Sequence, residues 1–136
     1  MSASFTDWFV APQSDAPAIL AAGPGADAWP YASIAGIVDS DLDSLARVVM
    51  GSDACYAPKR LFPPEDAVVH VARVPDRFVA AVASLEDGAL ATMSARWQAS
   101  PPGPAPARTP AALLQLRAIA RVARERGLPL LQLNIW

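Results

Sequence analysis

Two side chains suited to catalysis near neutral pH, His70 and Cys55, each occur once in this chain and lie fifteen positions apart. A histidine can act as a general base or a pH switch, but a base needs a nucleophile or an orienting carboxylate, and the neighbouring sequence supplies neither. The favoured interpretation of His70 is a partly buried strand histidine with one hydrogen bond to the backbone or to a carboxylate. Lys59 and Arg60 lie near Cys55 in the sequence, which keeps a reactive thiol as an alternative, but an inert small residue is the favoured interpretation. We therefore expect a non-catalytic protein and keep a pocket around His70 and Cys55 as the alternative.

The acidic residues Asp39, Asp41 and Asp43 alternate in a way that resembles half of a calcium loop. The glycine and the distal glutamate of such a loop are missing, and negative charge at a helix start explains all three residues. The glycines of Gly23-Pro24-Gly25 follow a helix instead of preceding one, and no dinucleotide or Walker spacing occurs. The sequence therefore predicts no metal and no cofactor.

Aromatic and basic residues are the better candidates for binding. Trp29, in the segment Ala28-Trp29-Pro30-Tyr31, is the best candidate for an exposed anchor, and Tyr31 follows it. Arg117, Arg121 and Arg124 form a basic stripe on the last helix, which could bind an acidic partner or phosphate. A solvated face opposite the leucines is the simpler account of that stripe. Trp29, Tyr31 and the three arginines are our predicted binding residues.

Composition indicates one globular domain, residues 1–136, with 53% hydrophobic and 18% charged residues. A net charge of −2 gives no global attraction to nucleic acid or to anionic lipid. The N-terminal residues lack the pattern of a signal peptide, and no apolar run reaches the length of a membrane span. A single cysteine cannot form an intrachain disulfide. We expect a cytoplasmic protein that binds neither nucleic acid nor membrane.

Apolar periodicity and turn residues predict the elements. The predicted strands are Phe5–Val10, Tyr31–Val38, Ala67–Val74 and Leu130–Trp136. Helices are predicted over Ala16–Ala22, from Ser40 to Gly51, as a pair from Pro75 to about Trp97, and from Thr109 to Gly127. Residues Ser52–Asp66 are predicted to be a loop and Ser100–Pro106 an extended linker, because both segments are rich in proline.

This order of elements predicts an α+β or α/β fold with a four-stranded mixed sheet and about five helices. Both faces of Tyr31–Val38 are apolar or small, which favours a central strand covered on both sides. Helix-length connections favour some parallel pairs. The C-terminal strand is expected to pair within the sheet.

Three segments carry a resemblance: Ser4–Pro12, the paired helices ending at Trp97–Ser100, and the arginine-rich helix before a terminal aromatic strand. Together they resemble a group of small uncharacterised proteins from high-GC bacteria. The resemblance implies no activity, and no catalytic residue carries over from it. Related sequences often have acids after the Trp-x-x-Ser/Thr, whereas Pro101 and Pro102 stand there in this chain.

The sequence therefore favours a non-catalytic bacterial protein-binding module whose partner is another protein. An immunity-type protein that neutralises a toxin is the concrete version, because such proteins need only a complementary surface. A small-ligand-binding protein or an enzyme around His70 and Cys55 is the alternative. A homodimer, in which the terminal strand pairs across the dimer axis, is a third interpretation.

Overall fold

The computed structural model describes residues 5–23, 28–65, 69–100 and 105–135. The side chains of Phe5 and Ile135 are not among the described atoms. Parts of four predicted segments lie outside these ranges: Pro24 and Gly25 of Gly23-Pro24-Gly25, Ala67 and Val68 of the third predicted strand, residues 101–104 of the predicted linker, and Trp136 of the last predicted strand.

The chain contains five strands and five α-helices in the described ranges. The strands are β1 (Phe5–Val10), β2 (Tyr31–Ala35), β3 (Lys59–Phe62), β4 (His70–Arg73) and β5 (Leu130–Ile135). The helices are α1 (Ala16–Ala22), α2 (Asp39–Met50), α3 (Asp76–Ala83), α4 (Asp87–Ala99) and α5 (Pro110–Arg126). A short 3-10 turn, Gln13–Asp15, precedes α1.

All five strands form one sheet in the order β2-β1-β5-β4-β3, and every neighbouring pair is antiparallel. The fold is therefore α+β. The prediction of a four-stranded mixed sheet is wrong in two respects, because β3 lies inside the predicted loop Ser52–Asp66 and no described pair is parallel. The C-terminal strand β5 is paired in the sheet as predicted. It lies between β1 and β4, so both of its edges are occupied and it cannot pair across a dimer axis.

The predicted position of the second strand is wrong. β2 ends at Ala35, before Gly36 with its φ of 77°, and it lies at the edge of the sheet. Tyr31, Ser33 and Ala35 are exposed, so only the other face of β2 is covered. Small side chains on both faces of a strand are equally compatible with an edge, where one face meets water.

Helix α5 forms as its sequence predicts. The side chain of Thr109 accepts a hydrogen bond from the Ala112 N–H at 3.0 Å, Pro110 occupies the first turn, and Gly127 ends the helix with a φ of 63°. The apolar stripe of α5, formed by Leu113, Leu116, Ile119, Ala120 and Ala123, is buried. Helix α2 begins one residue before the predicted cap Ser40, because the Asp41 carboxylate accepts the N–H of Val38 at 3.1 Å.

The two faces of the sheet carry separate apolar clusters. Helix α1 covers one face, where Phe9, Leu131 and Leu133 pack with Ile19. The longer helices α2 to α5 cover the other face around Trp8 and Trp97, both fully buried. Consecutive residues of β5 thus enter opposite clusters, as their alternation predicts. No helix in the described ranges is both long and apolar enough to cross a bilayer.

Candidate functional site

The outer edge of β2 presents unpaired backbone groups. The N–H of Val10 donates to the C=O of Pro30 at 3.0 Å, which makes these two residues a hydrogen-bonded pair. Backbone groups in an antiparallel ladder point alternately toward and away from the partner strand. Tyr31, Ser33 and Ala35 therefore direct their N–H and C=O groups away from β1, where no described residue bonds to them.

A groove of about 570 Å³ lies beside this edge, between β2 and helix α5. One side is formed by residues 30–33, and the other by Gln115, Ala118, Ile119 and Val122. None of these residues is charged. We call this surface, together with the open edge, the β2–α5 groove.

The opposite edge of the sheet is different in character. β3 carries Lys59 and Arg60, and its register with β4 shifts between Arg60 and Phe62. Charged side chains and irregular register are common devices that prevent an edge strand from pairing with another chain. β2 has no charged residue, and its register with β1 is unbroken. The two edges thus differ in their capacity to accept a further strand.

The two predicted aromatic binding residues occupy the start of this edge. Tyr31 is 44% exposed, and its ring centroid lies 6.0 Å from that of Phe9. Trp29 is half-buried, with its ring edge-on to Phe9 and its indole N–H donating to the Asp15 carboxylate at 3.1 Å. Tyr31 is therefore open to a partner, whereas Trp29 mainly supports the loop before β2.

The predicted basic stripe of α5 lies against the end of α3. Arg121 donates to the carbonyls of Ala83 and Leu85 at 2.9 and 2.7 Å, and Arg117 donates to Leu85 at 3.2 Å. Ala83 is the last residue of α3, so Arg121 satisfies a carbonyl group that the helix end leaves without an intrahelical partner. Arg117 is buried, so the interpretation of the stripe as a solvated face is wrong at that residue. Arg124 is exposed. A role of the stripe in binding a partner stays a prediction.

His70 belongs to a chain of hydrogen bonds across the covered face of the sheet. The Trp8 indole N–H donates to the Tyr56 hydroxyl at 3.4 Å, and that hydroxyl donates to the Gln132 carbonyl oxygen. The Gln132 amide donates to Asn134 at 2.6 Å, and the Asn134 amide nitrogen lies 3.2 Å from His70 Nε2. All but His70, which is half-buried, are buried.

The direction of this chain follows from Trp8, because an indole nitrogen can only donate. Burial raises the pKa of Tyr56 far above its ordinary value, so the hydroxyl keeps its proton and donates it to Gln132. Each amide then accepts with its oxygen and donates with its nitrogen. His70 Nε2 is therefore an acceptor, and the proton of the neutral ring is on Nδ1.

Asp39 lies beside this chain at the start of α2. Its Oδ1 is buried and has no hydrogen-bond partner. Burial raises the pKa of the Asp39 carboxyl, the repulsion of Asp43 adds to this, and the contacts with Gln132 and His70 lower it. The Asp39 carboxyl therefore holds its proton more strongly than an ordinary aspartate does.

Cys55 is exposed in the loop between α2 and β3, whereas the His70 ring contacts Asn134 at the sheet. The loop borders a cavity of about 820 Å³, which Asp53 and Arg77 also line. The neighbouring residue Tyr56, not Cys55, links this loop to the chain that reaches His70. In the described ranges no group of three or more His, Cys, Asp or Glu side chains is arranged to hold a metal ion.

Arg108 is a buried charge that our sequence predictions do not include. Its guanidinium forms an ion pair with Asp41 at 2.9 Å and donates to the Ser44 hydroxyl at 3.1 Å. It also donates to the carbonyls of Trp97 and Ser100 at 3.0 and 2.7 Å. Arg108 thus joins the start of α2 to the end of α4. All of these partners are groups of this chain, so Arg108 has a structural role.

Gln132 and Asn134 are likewise absent from our predictions. The sequence signal that could have indicated their role is a pair of amide side chains on one face of an otherwise apolar strand. Comparison of the chain with family models, with curated proteins and with solved structures finds no match. The resemblance to small proteins from high-GC bacteria therefore stays a prediction.

Proposed function

We propose that this protein is a non-catalytic protein-binding module that accepts an extended segment of another protein along β2. The observation that carries the proposal is the open, uncharged edge of β2, with outward backbone groups at Tyr31, Ser33 and Ala35. Addition of a strand to an exposed sheet edge is a recurrent way of recognising an extended peptide. The main-chain bonds provide affinity, and the adjoining groove provides contacts for side chains.

An immunity-type protein that neutralises a bacterial toxin remains the concrete version of this function. Such a role requires a complementary surface and no catalytic group. The β2–α5 groove offers a surface of this kind, and Tyr31 provides an exposed aromatic side chain of the type enriched at binding hot spots.

A library of random twelve-residue peptides displayed on phage tests this function. We expect wild-type protein to enrich peptides that lose at least tenfold in affinity for the Ala35→Lys variant, because an edge lysine opposes strand addition. Ala95→Lys, on the exposed face of α4, is the matched control and should bind as wild type does. If no enriched peptide depends on Ala35, the proposal is wrong.

A second candidate function is a small-ligand-binding protein or an enzyme that uses the groups around His70. It is favoured by one observation, the buried Asp39 Oδ1 that has no partner near the imidazole. A fragment library screened by NMR tests it. Binding that shifts the resonances of the His70 ring, and that Asp39→Asn abolishes, supports this function. A library without any such fragment contradicts it.

A further inference from the structure

This inference rests on the proposed function and concerns the chemistry of the segment that binds. We propose that the partner segment is extended and uncharged on its α5-facing side, where bulky apolar side chains at alternate positions fill the β2–α5 groove. Its backbone pairs with the outward groups of Tyr31, Ser33 and Ala35.

The charge requirement follows from the lining of the groove. Gln115, Ala118, Ile119 and Val122 bring no charge to it from α5, and residues 30–33 bring none from the other side. A charged side chain that enters the groove would lose its hydration and gain no counterion. The segment must therefore present neutral side chains to α5, although its other face can carry charge.

The size requirement follows from the space beside the edge. The groove holds about 570 Å³, and Ala118 is exposed on its α5 wall. The side chains of a strand alternate between the two faces of the sheet. Every second side chain of an added strand thus enters the groove, and the others lie on the face of the exposed Tyr31 ring. Small residues at the first set of positions would leave the groove unfilled.

A second copy of this chain does not meet these requirements. If β2 paired antiparallel with a second β2 across a two-fold axis, the residues on its α5-facing side would be Ala32 and Ile34. Ile34 is buried against the core of its own subunit, and Ala32 is packed against that same core. Neither is free to fill the groove of a neighbour, so the structure favours a segment of a different protein.

Sequence statistics from the phage selection on wild-type protein test the inference directly. We expect large apolar residues at every second position and depletion of Asp, Glu, Lys and Arg at those positions. Selected peptides should bind at least tenfold more weakly to Ala118→Glu. A lysine in the peptide at a groove-facing position should restore binding to the Ala118→Glu variant, whereas a lysine in the peptide at one of the intervening positions should not. Ala95→Glu is the matched control.

The outcomes separate this inference from the proposed function. Peptides that depend on Ala35 but bind Ala118→Glu as they bind wild type overturn the inference and leave strand addition intact. Peptides that do not depend on Ala35 overturn both. Sedimentation of wild-type protein provides a further test, because a dimer that Ala35→Lys dissociates would make a second copy the occupant and would overturn the inference.

Discussion

Replacement of Arg108 by methionine should destabilise the fold severely. Arg108 is fully buried and pairs with Asp41, whose side chain is itself almost completely buried. Removal of one partner of a buried ion pair leaves an uncompensated charge and costs about 3–5 kcal/mol. The carbonyls of Trp97 and Ser100 also lose their donor. A domain of ordinary stability has only about 5–15 kcal/mol in total.

Urea unfolding measures this loss. With a slope of about 2 kcal/mol/M, the midpoint of Arg108→Met should fall by about 1.5–2.5 M. The double variant Arg108→Met with Asp41→Asn should recover part of the loss in urea midpoint, because the unpaired buried charge of Asp41 is then removed. Arg73→Met is the control, since Arg73 pairs with the exposed Asp76 and such surface pairs contribute about 0–1 kcal/mol. An Arg108→Met midpoint no lower than that of Arg73→Met would refute the reasoning.

Two further predictions concern the groups around His70. Burial raises the pKa of Asp39, so the native state holds the proton of this carboxyl more tightly than the unfolded chain does. The resulting stabilisation of the native state is complete below the ordinary pKa of aspartate and is lost as the pH rises through the raised pKa. Asp39→Asn should therefore gain in urea midpoint over wild type as the pH rises above the ordinary pKa of aspartate, and a constant difference would contradict this assignment. Because His70 is the only histidine, long-range proton–nitrogen NMR spectra report its tautomer without ambiguity. At mildly alkaline pH we expect the proton on Nδ1, and a proton on Nε2 would show that the chain from Trp8 runs otherwise.

Local patterns predicted the elements that depend on local interactions. The cap at Thr109, the stop at Gly127 and the alternation along β5 all appear as the sequence indicates, because capping and periodicity involve neighbouring residues. β3 was missed because its four residues lie between prolines and carry two charges, and its strand conformation depends on pairing with β4.

Strand order and the buried polar contacts could not be predicted in the same way. The antiparallel directions arise from how the helices return the chain to the sheet, which one sequence does not encode locally. Arg108 and Asp41 are 67 positions apart, and nothing near either residue indicates a buried pair. Trp29, the predicted exposed anchor, is half-buried, whereas Tyr31, another predicted binding residue, is exposed. The place of Tyr31 at an edge of the sheet becomes visible only with the strand order.

The central position of β5 has a consequence for synthesis of the chain. β1 and β4 are synthesised long before β5. Neither can complete its pairing in the sheet until β5 lies between them. Without β5, the strand order allows only two separate pairings, β1 with β2 and β3 with β4. Pairings between segments so distant along the chain form slowly and leave strand edges exposed to aggregation meanwhile. Synthesis at low temperature, or with chaperones present, should therefore increase the yield of folded protein.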